Sequence, residues 1–106
     1  MWTVETLDAT VDAELEALPK DQQAKLAWIV ALIEEHGLER VGEPYVKPLE
    51  KGLWEMRMKG RDGISRALYV TATGRRVVIL RAFVKKTRKT PRKEINRALK
   101  RAETVT

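Results

Sequence analysis

The chain is expected to fold as α+β, with an N-terminal strand and a helical hairpin packed on an antiparallel β-meander, followed by a C-terminal helix. Three observations lead there. Apolar residues recur at helical spacing through the first third of the chain. From Leu53 onward the spacing changes to two. A helical stripe returns after Thr90-Pro91.

Trp2 to Thr6 alternates and reads as a short edge strand. Asp8 is a good N-cap, with Asp12 in the first turn, where the helix dipole favours an anion. Leu7, Val11, Leu15 and Leu18 mark one helix face, and Pro19 interrupts it. The spacing of Leu26, Ile29, Val30 and Ile33 predicts a second helix from about Lys20 to His36, widened by Trp28 and Leu32 and stopped by Gly37. The short join makes the two helices a hairpin.

Residues 38–52 read as a loop punctuated by Gly42, Pro44, Pro48 and Gly52. In the strand Leu53–Lys59, Trp54, Met56 and Met58 share one face, while Glu55, Arg57 and Lys59 share the other. Gly60–Gly63 is a turn, Ile64–Ala72 a strand, Thr73-Gly74 a turn and Arg76–Lys85 a third strand. Its run Val77-Val78-Ile79-Leu80 predicts burial on both faces. Thr90 suits an N-cap and Pro91 the first helical position. Ile95, Ala98, Leu99 and Ala102 form the last apolar stripe, and Arg92, Lys93, Arg97, Lys100 and Arg101 cover the rest. One domain spanning 1–106 is expected, since neither an internal repeat nor a low-complexity segment is visible.

Charge is divided unevenly. Residues 1–50 carry four Lys/Arg against eleven Asp/Glu, a balance of −7. Residues 51–106 carry seventeen against four, a balance of +13. A field of this kind attracts phosphate polymers by releasing their counterions, although a solvated face would also be charged. The chain has no cysteine, which excludes disulfides and thiolate metal sites. His36, the single histidine, has no companions for a metal and reads as an ordinary helix-end residue. No cofactor and no metal is therefore expected. Glu34-Glu35 and Asp12, Glu14 and Glu16 read as helix exteriors, solvated or partner-facing. Met1 to Glu5 shows no secretory pattern, and the stretch Leu26–Ile33 is too short to span a bilayer, so a cytoplasmic protein is expected.

The basic half concentrates its charges. Arg57 and Lys59 share a strand face, and the Gly60–Gly63 turn brings Arg66 across from Arg57. Arg81 and Lys85 lie i, i+4 on the third strand, on the face of Phe83. Lys86, Arg88 and Lys89 follow in the loop. Cations crowded on one patch repel one another, a cost that makes sense if an anion is the substrate. Such a patch can cleave RNA without metal, because the 2′-hydroxyl is the nucleophile. Arginines hold the phosphate, and a lysine of lowered pKa exchanges protons. Phe83, Tyr69 and Trp54 are candidates to stack a base, but each also reads as core. Arg75 and Arg76 flank a turn and read as solvated.

Lys47-Pro48-Leu49-Glu50 followed by Leu53-Trp54-Glu55-Met56-Arg57 resembles the K-x-L…L-W-E-L-R strand of RelE/HigB-type toxins, in particular their phage-derived HigB-like branch. Arg66 to Val70 resembles the Y-R-x-x-Y strand of that family, with Ser65 at the usual tyrosine. The most specific likeness is Phe83-Val84-Lys85-Lys86-Thr87-Arg88-Lys89-Thr90-Pro91, followed by Glu94-Ile95 and Ala98. The resemblance implies a RelE-like fold and a toxin of a type II toxin–antitoxin pair. Such a toxin is a metal-independent endoribonuclease that cuts mRNA in the ribosome, leaves a 2′,3′-cyclic phosphate and inhibits translation. By position, Arg57 and Arg66 would hold phosphate, with Lys85 or Lys86 assisting transition-state charge. Lys59, Arg81, Arg88 and Lys89 would bind RNA. The partners implied are mRNA, the ribosome and a cognate antitoxin of helix-turn-helix type. The last helix has no tyrosine and the basic half no histidine, so the resemblance does not name the general base. Two alternatives stand beside it: a ParE-like gyrase poison, and a non-enzymatic nucleic-acid-binding module.

Overall fold

The computed structural model describes residues 1–61 and 63–106. Strand β1 (Thr3–Thr6) leads into α1 (Ala9–Glu16) and α2 (Lys20–His36). Then come β2 (Val46–Pro48), β3 (Trp54–Gly60), β4 (Gly63–Ala72), β5 (Arg76–Lys85) and α3 (Arg92–Ala102). The strands form one mixed sheet in the order β1-β5-β4-β3-β2, with β1 parallel to β5 and the other pairs antiparallel. The expected α+β architecture is present. No described helix is long and apolar enough to cross a membrane.

Local chemistry sets the helix limits. The Asp8 carboxylate accepts the Val11 N–H at 3.0 Å, capping α1. Gly37, at φ +92°, ends α2 where an L side chain would be strained. Gly60 lets α2 approach the β3–β4 hairpin, because a Cβ there would collide with the Asp21 carboxylate. The expected Gly60–Gly63 turn includes Asp62, which lies outside the described residues, while Gly60 and Gly63 themselves pair.

Two expectations need correction. Residues 38–52 are not all loop: Leu38–Arg40 form a 3₁₀ turn, and Val46–Pro48 pair with Trp54–Met56 as an edge strand. Pro48, which has no N–H, ends that strand. Thr90 does not cap α3 either. Pro91 takes the cap position, and the Thr90 hydroxyl is bonded elsewhere.

The sheet is covered on both sides. The α1–α2 hairpin buries Met56, Met58, Tyr69, Val77 and Ile79 against Val11, Ile29 and Ile33. On the other side, α3 lays Ile95 and Ala98 over Leu68, Val78, Leu80 and Phe83. A β-bulge joins these layers. Leu68 pairs with Arg81 and Tyr69 with Ile79, so Leu80 is the extra residue. Before it, odd-numbered Val77 and Ile79 face the helical hairpin; after it, odd-numbered Phe83 faces the α3 side. The bulge thus sends the far half of β5, including Lys85, to the α3 side.

Candidate functional site

The basic cluster forms where β3, β4 and β5 lie side by side beyond the cover of α3. Arg57 is directly opposite Arg66, and Arg66 is opposite Phe83. Lys85 is opposite Ile64, two residues from Arg66 along β4. At the centre is Glu55, 2% exposed. Arg57 Nε donates to Glu55 Oε2 at 3.1 Å. Arg66 Nε stands 3.3 Å from the same oxygen, as an ion pair without hydrogen-bond alignment. The Thr90 hydroxyl donates to Glu55 Oε1 at 2.5 Å, tying the start of α3 to the carboxylate.

Burial and charge set the protonation. Burial pushes the Arg66 pKa down; Glu55 opposes this and Arg57 adds to it. An arginine nonetheless stays charged. Burial also lowers the Lys85 pKa, and Arg66 lowers it further. Glu55 partly offsets that, while Arg57 and Lys47 add to it. Lys47 belongs here because it pairs with Glu55 across β2–β3. Four cations around one carboxylate leave a formal excess of three positive charges.

A hollow of about 380 Å³ opens beside the cluster, lined by Arg57, Lys59, Ile64 and Arg66 on the sheet and by Lys25, Pro44 and Tyr45 opposite. The structure thus brings together Arg57, Arg66 and Lys85, with Lys59 exposed next to them. Lys86, Arg88 and Lys89 lie on the exposed segment between β5 and α3.

Arg81 is held elsewhere. It donates to Glu94 through Nε at 2.8 Å and through Nη2 at 3.1 Å, and its Nη1 is 3.0 Å from Glu14. Arg101 also donates to Glu14 at 3.0 Å and to the Leu80 carbonyl at 2.8 Å. Glu14 further accepts the Ala82 N–H, on the stretch of β5 past its pairing with β1. Glu14 and Arg101 are therefore not the solvated surface charges expected; they tie α1, β5 and α3 together.

The stacking candidates are used in packing. Tyr69 is fully buried and stacks on Trp54 under the helical hairpin. Phe83 is 8% exposed and lies beneath the Arg81 guanidinium, 5.8 Å from its ring centre. His36 is exposed at the end of α2.

Sequence reasoning missed Glu55, Lys47, Thr90 and Tyr45. Glu55 carried a readable signal, as the lone acid sharing a strand face with Arg57 and Lys59. Lys47 and Tyr45 depend on the unforeseen β2 strand.

No curated protein matches the chain. The family model for phage-derived Gp49-like proteins matches residues 13–103, from within α1 to just past α3. That stretch includes every residue of the basic cluster, and the chain belongs to the Gp49-like family, one associated with the toxins of toxin–antitoxin pairs.

Proposed function

We propose that this protein is a toxin of the RelE/HigB kind whose reaction is metal-independent cleavage of mRNA on the ribosome. The observation that carries the reading is the trio Arg57, Arg66 and Lys85 around a single buried carboxylate, beside an open hollow.

The 2′-oxygen of the RNA attacks the adjacent phosphorus, and the P–O5′ bond breaks. The products are a 2′,3′-cyclic phosphate and a 5′-hydroxyl. The 2′-hydroxyl loses a proton and the departing oxygen gains one. Arg57, partly exposed, reaches the phosphate, and Arg66 supports the growing charge from beneath. Lys85, with its lowered pKa, exchanges the proton. Glu55 is fully engaged by Arg57, Arg66 and Thr90, so it positions the guanidiniums and does not act on RNA. Exposed Lys86, Arg88, Lys89 and Lys93 supply further phosphate contacts. A cognate antitoxin, of helix-turn-helix type by the resemblance, would neutralise the toxin in the cytoplasm by covering this face.

The test is to add the protein to ribosomes programmed with a defined mRNA and map the new ends. Cuts bearing 2′,3′-cyclic phosphates are expected, with the rate reduced about 10²-fold or more by Lys85→Met and by Arg57→Gln. Intact mRNA together with an SOS response on expression in cells would establish the gyrase-poison alternative instead.

A further inference from the structure

We propose that the hollow beside the arginines seats the nucleobase next to the scissile phosphate, with Tyr45 as its stacking wall. This rests on the RNA-cleavage reading and specifies where the strand lies.

Four of the lining residues are cationic and none is acidic. The remaining wall is Tyr45, Pro44 and Ile64. Cations beside one aromatic ring and two aliphatic side chains match a nucleotide, an anion joined to a flat apolar ring. The volume of about 380 Å³ lies within the range of small-ligand cavities, about 300–1,000 Å³. Arg57 and Arg66 line both this hollow and the phosphate cluster, so a strand gripped by them places an adjacent nucleotide here.

Tyr45 is rigidly placed. Its carbonyl accepts the Arg57 N–H at 2.8 Å, which fixes it against β3. Trp28 meets its ring edge-on, with centroids 4.9 Å apart at 80°. Lys25 Nζ lies 4.5 Å from the Trp28 ring centre and 5.3 Å from that of Tyr45. The aromatic pair thus holds an ammonium at the rim, where a flanking phosphate would pass. An acidic peptide could satisfy the cations, but it would make no use of the ring.

The test uses a mixed-sequence 2′-O-methyl RNA tetranucleotide, which lacks the nucleophile and cannot be cut. Binding is followed by tryptophan fluorescence, since Trp28 contacts Tyr45. Tyr45→Leu should weaken binding about tenfold and Tyr45→Trp should preserve it. With the wild-type protein, an abasic tetranucleotide should bind about tenfold more weakly than the intact one, which needs no variant to fold. Equal affinity for abasic and intact strands overturns the base seat, as does tetraglutamate binding as tightly as the RNA. If mapped mRNA cleavage persists in either case, the proposed function survives that failure. Absence of cleavage by the wild-type protein, with the tetranucleotide still bound in a Tyr45-dependent way, removes the catalytic reading and keeps the seat.

Discussion

On the proposed reading, Glu55 is an internal counter-ion that occupies the arginines until a phosphate arrives, and Glu55→Gln tests this. Arg66 Nε is 3.3 Å from the carboxylate, and the Arg66 side chain is 5% exposed. At an effective dielectric constant of about 20, two unit charges at that distance attract by about 5 kcal/mol. Part of that attraction offsets the cost of burying both ions, and removing one partner of such a pair costs about 3 kcal/mol. In a chain of 106 residues each kcal/mol moves the melting temperature by about 4–8 °C, so Glu55→Gln should melt about 12–24 °C lower. Phosphate should narrow the gap, because it supplies the lost charge: at a hundred times its Kd a ligand stabilises by about 2.7 kcal/mol. The assay is thermal unfolding of both proteins in phosphate and in chloride at matched ionic strength. A variant melting within about 2 °C of wild type, or a gap that phosphate leaves unchanged, refutes the counter-ion argument.

Arg81→Met should cost about 3 kcal/mol in denaturant unfolding, because it removes both hydrogen bonds that Arg81 donates to buried Glu94 and one of the two arginines on Glu14. Cleavage per folded molecule should stay within about twofold of wild type, and a tenfold loss in a folded variant would return Arg81 to the site. Hydrogen bonds from Arg81 lower the Glu94 pKa, and in Glu14 burial, which raises it, is outweighed by the bonds from Arg101 and Ala82 together with the charges of Arg81 and Arg101. Depressed carboxylate pKa values stabilise above the unfolded value of 4.5, and that stability is lost as pH falls below it. The gap between wild type and Arg81→Met should therefore close in acid. Lys85→Met should lose cleavage yet gain about 0.5–1 kcal/mol at pH 7, since the fold disfavours charge at Lys85. For the same reason wild-type stability should rise as pH climbs from the depressed pKa towards 10.5, while the variant lacks that rise. A less stable Lys85→Met at pH 7 would contradict the assigned shift.

The elements governed by local chemistry were legible. Asp8 and Gly37 set helix limits within their own turns, and the tight hairpin after Gly60 made the Arg57–Arg66 pairing readable from spacing alone. What escaped depends on contacts distant in sequence. The β2 strand is three residues long and pairs at the sheet edge, leaving too few positions for an alternating pattern to register. Glu14 reaches Arg81 and Arg101 across most of the chain, so nothing beside it in sequence marks it as paired. As an N-cap Thr90 would accept a backbone N–H of α3, whereas its hydroxyl donates to Glu55, a charged partner 35 residues away that local sequence does not reveal. The basic cluster was found because repelling like charges were visible on one strand face, whereas the carboxylate beneath them was read as one more polar residue.

The bulge at Leu80 decides which way the basic end of β5 faces. With strict alternation through β5, position 85 would share the side of Ile79 and point at the helical hairpin, away from Arg66. Losing Leu80 itself would restore regular pairing and leave Phe83 and Lys85 on the α3 side, whereas losing one residue between Arg81 and Lys85 would turn Lys85 towards the helical hairpin. Relatives that keep every basic residue but differ in length by one between the bulge and Lys85 would carry the same side chains without the same constellation, so the place of an alignment gap in this strand says more about shared chemistry than the count of matching lysines.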